Sequence, residues 1–264
     1  MQKVVGIFIF ILFMLYSNAL QAQMNIPAQK EEKPRTFYIA IGTNRSFYSK
    51  SDIRLKSSAH PAFDFTLENV RGKDDEGLDF SQGAPQYSYA LGYYNYKKNW
   101  GIEFNFDHIK YYILQSQPVR MQGTINGHNY ETDTLINPDF VQLEHSDGAN
   151  YALLKWMKWK PLLQDKNGVK VLNLLFKAGA GPVIPKTNTT IMGKHRDDRY
   201  NITGYVIVLE GGLRYNISKL LFAEANAKGA FANYSHFLIA DGWGSQQWFG
   251  LHMALLIGVQ ISSK

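Results

Sequence analysis

The sequence predicts an all-β protein, a closed antiparallel up-and-down transmembrane β-barrel of about eight strands. Three observations predict it. One apolar stretch stands at the N-terminus and none follows it. Eight segments downstream alternate apolar and polar residues with period two. The connections between them are alternately short and long. Aromatics make up 14% of the chain, with 16 Tyr and 16 Phe, a content suited to the two interfacial belts of a barrel. A mean hydropathy of −0.26 excludes a polytopic helical membrane protein, but not a barrel whose strands average near neutral.

Residues 1–22 read as a signal peptide. Lys3 gives the positive region, Val4 to Tyr16 the apolar core, and cleavage is expected between Ala22 and Gln23. The apolar core is shorter than the roughly 20 residues of a spanning helix. No cysteine occurs, which excludes a lipoprotein anchor, disulfides and thiolate metal sites. Residues 23–35 read as a disordered periplasmic leader, and 36–264 as the barrel domain.

The first strand segment is about 36–48, with Phe37, Ile39 and Ile41 alternating with Tyr38, Ala40 and Gly42. The second is about 85–97 (Tyr87, Tyr89, Leu91, Tyr93). The third, about 100–114, sets Ile102, Phe104 and Phe106 against Glu103, Asn105 and Asp107. The fourth is about 139–159, with Tyr151, Leu153, Lys155 and Met157 opposite Ala152, Leu154 and Trp156. The fifth, about 169–182, opposes Leu174 and Phe176 to Asn173 and Lys177. The sixth, about 202–216, opposes Ile207 and Leu209 to Glu210 and Arg214. The seventh, about 219–234, opposes Ala223, Ala225 and Ala227 to Glu224 and Lys228. The eighth, about 247–262, opposes Phe249, Leu251 and Leu255 to His252 and Gln260. Period-two alternation is the signature of a strand with two different environments. Connections of 49–84, 115–138, 183–201 and 235–246 are long; those at 97–99, 161–168 and 216–218 are short. An even strand count closes the barrel without a free edge.

These features resemble the small eight-stranded OmpA/OmpX-like barrels of Gram-negative outer membranes. The resemblance covers about 36–262 and is architectural. It departs at the C-terminus, where such barrels usually end on an aromatic read by the barrel assembly machinery and this chain ends Gln260-Ile261-Ser262-Ser263-Lys264. It implies an outer-membrane location among phospholipid and lipopolysaccharide. The blocks Phe63-Asp64-Phe65-Thr66-Leu67-Glu68-Asn69-Val70 and Glu144-His145-Ser146-Asp147-Gly148-Ala149-Asn150-Tyr151 look like family signatures with no activity attached.

Strand parity points Glu103, Asp107, Lys177, Glu210, Arg214, Glu224 and Lys228 inward. An eight-stranded barrel is only wide enough for side chains to fill, so these charges are expected to pair and plug the lumen. A narrow pore is the alternative. A lipid A deacylase or acyltransferase needs an activated Ser near the outer rim. Ser235, His236 and Asp241 are candidates, as are His145 and Ser146 before Asp147. The deacylase pattern has Ser two residues after His, where this chain has Leu238. A secreted soluble barrel is a further alternative. The seven His lack ligand spacing, so no metal or cofactor is implied. Asp74, Asp75 and Glu76 read as a solvated acidic loop tip. Trp156, Trp159, Trp243, Trp248, Tyr111, Tyr112 and Tyr215 read as interfacial girdle, and the glycines as sites of close packing. Scattered cations without a basic stripe argue against nucleic acid. The formal charge of +6 is assigned to basic loops lying against lipopolysaccharide. The expected role is a structural or surface-loop binding barrel, with ligands taken by the long loops.

Overall fold

The structure is a computed structural model describing residues 35–75, 86–164 and 170–263. The expected signal peptide, its cleavage point at Ala22 and Gln23, the leader before Arg35 and Glu76 lie outside these residues. The strands are, in chain order, β1 (Arg35–Tyr48), β2 (Ser51–Ser57), β3 (Phe63–Val70), β4 (Gly72–Lys73), β5 (Tyr87–Asn95), β6 (Trp100–His108), β7 (Tyr111–Ile113), β8 (Pro118–Ile125), β9 (His128–Leu135), β10 (Val141–His145), β11 (Ala149–Gln164), β12 (Lys170–Pro185), β13 (Asn188–Ile191), β14 (Lys194–Arg196), β15 (Gly204–Asn216), β16 (Leu221–Ile239) and β17 (Gly242–Ser263).

Eight of them form the wall. β1, β5, β6, β11, β12, β15, β16 and β17 pair antiparallel in that order. β17 then pairs back onto β1 from Arg35↔Ser263 to Tyr48↔Gly250, which closes the cylinder and leaves no edge in the wall. The alternation in sequence becomes an alternation of environment. On β1, Phe37, Ile39 and Ile41 are exposed while Thr36, Tyr38 and Ala40 are buried. On β17 the exposed series runs Phe249, Leu251, Leu255, Ile257, Val259 and Ile261. Interior positions carry Glu, Asp, Lys and Asn. An apolar outer face around a polar interior is the polarity of a barrel surrounded by lipid. Aromatic clusters bracket the belt. Phe37, Tyr93 and Trp100 lie at the turn end, with centroids 5.0 and 6.3 Å apart. Tyr205, Phe231 and Phe249 lie at the other, 6.4 and 5.1 Å apart.

β16 and β17 have 19 and 22 residues, about twice the 9–11 that cross the hydrocarbon layer. Their outer halves rise beyond the belt and seed a head. β2 pairs with β17 from Gly242↔Ser57 to Gln246↔Ile53, and β3, β8 and β9 follow. A second sheet runs β14-β13-β10-β7-β4. The two share one core, in which Leu55, Phe65 and Met121 of the first sheet cluster with Ile113, Leu143 and Ile191 of the second.

The long connections expected from sequence are therefore largely strands. The block Phe63 to Val70 is β3. Segment 235–246 is not a loop: β16 continues to Ile239, and a tight turn carrying Asp241 at φ 56° leads into β17. The fourth expected strand, 139–159, is broken into β10 and β11. Gly148 sits between them at φ 124°, a conformation only glycine adopts readily. Trp159, Trp248 and Tyr111 are buried rather than interfacial, because their parity places them with Met157, Gln246 and Ile113 on the inward face. Trp156 and Trp243 do face outward.

Candidate functional site

Alternate residues of eight strands converge on the barrel axis, and the seven charges expected there all point inward and are buried. An eighth joins them. Lys155 is 2% exposed and carries the centre of the network. Its Nζ lies 2.6 Å from Glu103 Oε1 and 2.7 Å from Glu210 Oε2. Lys177 Nζ lies 2.9 Å from Glu103, 3.2 Å from Glu210 and 2.5 Å from Glu224. Arg214 donates through Nε to Glu224 at 2.8 Å, and its Nη2 lies 2.6 Å from the same carboxylate. Lys228 donates to Asp107 and to Asn105 Oδ1. Tyr38 donates its hydroxyl to Glu103 at 2.5 Å. Four cations meet four carboxylates, so the interior is neutral as a set. Lys155 escaped sequence reasoning because its parity partners Tyr151, Leu153 and Met157 are apolar. The signal that could have found it is the outward pair Leu154 and Trp156 on either side.

Glycines make this filling possible. A Cβ on Gly92 would stand 2.1 Å from the Tyr38 ring, and one on Gly179 would stand 2.6 Å from Lys155 Cγ. Large side chains thus cross the lumen over positions with none.

Aromatic layers lie above and below the charges. Toward the turn end, the Arg214 guanidinium sits 4.0 Å from the Tyr38 ring centroid, 4.3 Å from Trp159 and 3.9 Å from Phe222. Toward the head, Tyr111, Tyr234 and Trp248 stack at 4.4–4.6 Å around His145. The void among the charged residues measures about 10 Å³, room for a single water molecule.

The rim candidates are not assembled as a triad. Ser235 and His236 sit in β16 at a bulge between Tyr234 and Phe237, which turns both outward instead of onto opposite faces. Ser235 Oγ donates to the Thr203 carbonyl at 2.6 Å. The His236 ring stacks on Trp243 at 4.5 Å. Asp241 accepts from Lys194 Nζ at 2.7 Å. His145 is fully buried at the end of β10, with Nδ1 2.9 Å from Thr187 Oγ1, and burial drives its pKa down to about 3. Ser146 follows it, and Asp147 binds Lys186 at 2.5 Å. One Ser–His contact does occur elsewhere, Ser46 Oγ to His252 Nδ1 at 2.7 Å. Both residues are buried in the upper lumen, 2% and 3% exposed. Asp74, expected in solvent, is buried and accepts from the Ser46 amide and Gln86. Among the described residues no three His, Asp or Glu are grouped to hold a metal.

The chain is similar in fold to small outer-membrane β-barrels. It aligns with Neisserial surface protein A at 7% identity over 84% of this chain and 96% of that one, TM-score 0.39. With Ail, the attachment invasion locus protein of Yersinia pestis, the figures are 11%, 86%, 99% and 0.34. With the N-terminal β-barrel domain of Pseudomonas aeruginosa OprF they are 11%, 88%, 100% and 0.34. No protein-family model and no curated protein matches the chain. At these identities and TM-scores no function is carried across.

Sorted by level, the charges correct one expectation. Among the described residues the head end has twelve Lys or Arg and thirteen Asp or Glu, and the lumen four of each. The turn end has seven Lys or Arg and no acid. The basic excess lies opposite the long loops, not in them.

Proposed function

We propose that the protein is a non-conducting outer-membrane β-barrel that mounts a folded β head at the cell surface, and that the head carries a binding role. One observation carries this reading: the lumen is filled by four cations and four carboxylates in direct contact, capped by aromatic layers at both ends. A bundle of charges held this way offers no continuous water path, and separating it leaves buried ions unpaired. What remains for function is the head, built on strands continuous with the barrel and so held rigidly above the lipid. Phospholipid and lipopolysaccharide surround the barrel in this reading, and the barrel assembly machinery inserts it. The bonding of the Ser235 hydroxyl to a backbone carbonyl, with His236 engaged by Trp243, disfavours the lipid A enzyme.

The test combines two measurements on the full chain. In planar bilayers the folded protein is expected to give no stable channel steps. In intact cells, added protease is expected to cut within the head while leaving the barrel resistant. Stable unitary conductance, or a head protected until the outer membrane is breached, would overturn the proposal.

A further inference from the structure

We propose that the turn end of the barrel is a selective docking collar for anionic phospholipid headgroups of the leaflet it contacts. The inference rests on the outer-membrane reading above and adds a specific lipid partner to it. Each of the three hairpins at this end contributes exposed lysines: Lys97 and Lys98 after β5, Lys158 and Lys160 on β11, and Lys219 before β16. Among the described residues no Asp or Glu occurs at this level. Elsewhere on the molecule acidic and basic residues nearly balance, so the collar is a local feature rather than the overflow of a basic protein.

The height of the lysines decides what they meet. Lys158 and Lys160 lie on the outward face of β11, two and four residues beyond Trp156. At about 3.3 Å per residue they stand roughly 7 and 13 Å further along a tilted strand, beside Phe176 and Leu174 of β12, so that Lys160 reaches the turn-end edge of the apolar belt on the wall rather than in the mouth. The Lys158 ammonium lies 5.3 Å from the Trp156 ring centroid. An ammonium lying along an outward aromatic and reaching toward the turn end is the arrangement of a snorkelling lysine. The groups available at that depth are lipid phosphates. A zwitterionic headgroup offers its phosphate together with its own cation, whereas an anionic one offers net negative charge to a collar whose described charges are all positive.

Tryptophan quenching by brominated lipid reads this directly. The full chain is folded into phosphatidylcholine vesicles in which brominated phosphatidylglycerol or brominated phosphatidylcholine is introduced in increasing fraction. Trp100 at the turn-end girdle and Trp156 above it on the wall report from this side, and W100F and W156F identify the share of each. Basic residues near a charged surface each contribute about a fivefold preference at low salt, so phosphatidylglycerol is expected to be preferred about fivefold or more at the collar. The preference is expected to fall to near unity in K97Q/K98Q/K158Q/K160Q and at high salt. It is expected to persist in the head variant R54Q/K56Q. Equal quenching by both brominated lipids in the unaltered protein would overturn the collar while leaving the membrane barrel standing. Quenching by neither would overturn both.

Discussion

Replacing Glu210 by alanine tests the lumen most sharply. Glu210 accepts from Lys155 at 2.7 Å, and Lys177 and Lys228 pair with it as ions at 3.2 and 3.6 Å. Its loss changes four cations against four carboxylates into four against three. The three remaining carboxylates are already engaged: Glu103 by Lys155, Lys177 and Tyr38, Glu224 by Lys177 and Arg214, and Asp107 by Lys228. No acid is left to take the extra charge. Breaking a buried pair from one side costs about 3–5 kcal/mol, which for a domain of this size corresponds to a fall in Tm on the order of 10 °C. The double variant K155M/E210L removes one charge of each sign and is expected to be less destabilised than the sum of its single changes, since paired ions exchanged for apolar residues are often near neutral. The assay is heat-modified migration on gels in parallel with thermal unfolding in micelles, with planar-bilayer recordings of each variant. An E210A protein that melts with the parent, or one that stays folded and conducts steadily, would refute the account of a lumen held by mutual neutralisation.

Two further outcomes follow from the wall and the head. Leu209 is 71% exposed at the level of the ion network, so Leu209→Lys is expected to cost about 2–4 kcal/mol in vesicles, while Gln247→Lys, beyond the belt, is expected to be close to neutral; equal effects would misplace the belt. His145 is held neutral by burial, with a pKa of about 3 against about 6.5 when unfolded. Between those values the unfolded chain binds the extra proton, so head stability is full above pH 6.5 and is expected to fall by about 1.4 kcal/mol for each unit of acidification below it. Limited proteolysis of the head at pH 7.5 and pH 5 reads this, and H145F is expected to flatten the difference; indifference to pH in the unaltered protein would contradict it.

The wall was legible because its two faces meet such different surroundings. On β6 the series Ile102, Phe104, Phe106 against Glu103, Asn105, Asp107 admits only one assignment once one side is lipid and the other a closed lumen. The same logic lost force wherever the inside is apolar as well. β11 carries Tyr151, Leu153 and Met157 inward because the ends of the lumen are packed with aromatics, and Lys155 disappeared among them. Trp159 and Trp248 read as interfacial because they are aromatics at expected strand ends, while parity, which decides the matter, turns them in. The head was the least legible part. Its strands are as short as the two residues of β4 and the three of β7, too short for a period to declare itself, and they are held by partners distant in sequence, such as β2 on β17. Phe63 to Val70 reads from sequence as a family signature inside a long connection, and only the pairing of Phe63 with Ser57 and Ile125 makes it a strand.

Net charge misled for a related reason. The lumen must be neutral because ions there have only each other, and its eight charges therefore cancel. The head cancels as well, to within one charge among the described residues, because its cations are spent locally, as Arg54 and Lys56 are on Asp64 at 2.8 and 3.0 Å. The turn end, with seven cations and no acid among the described residues, then carries at least as much charge as the +6 of the whole chain. A whole-chain charge cannot reveal such a distribution, and reading it as a property of the long loops assigns the head a field it does not have. On the proposed reading of the head as a binding surface, recognition there works through shape, hydrogen bonding and apolar contact at short range, since a surface with balanced charges steers little from a distance. Long-range attraction belongs to the other end of the barrel, where the lysines face a lipid layer rather than a soluble partner.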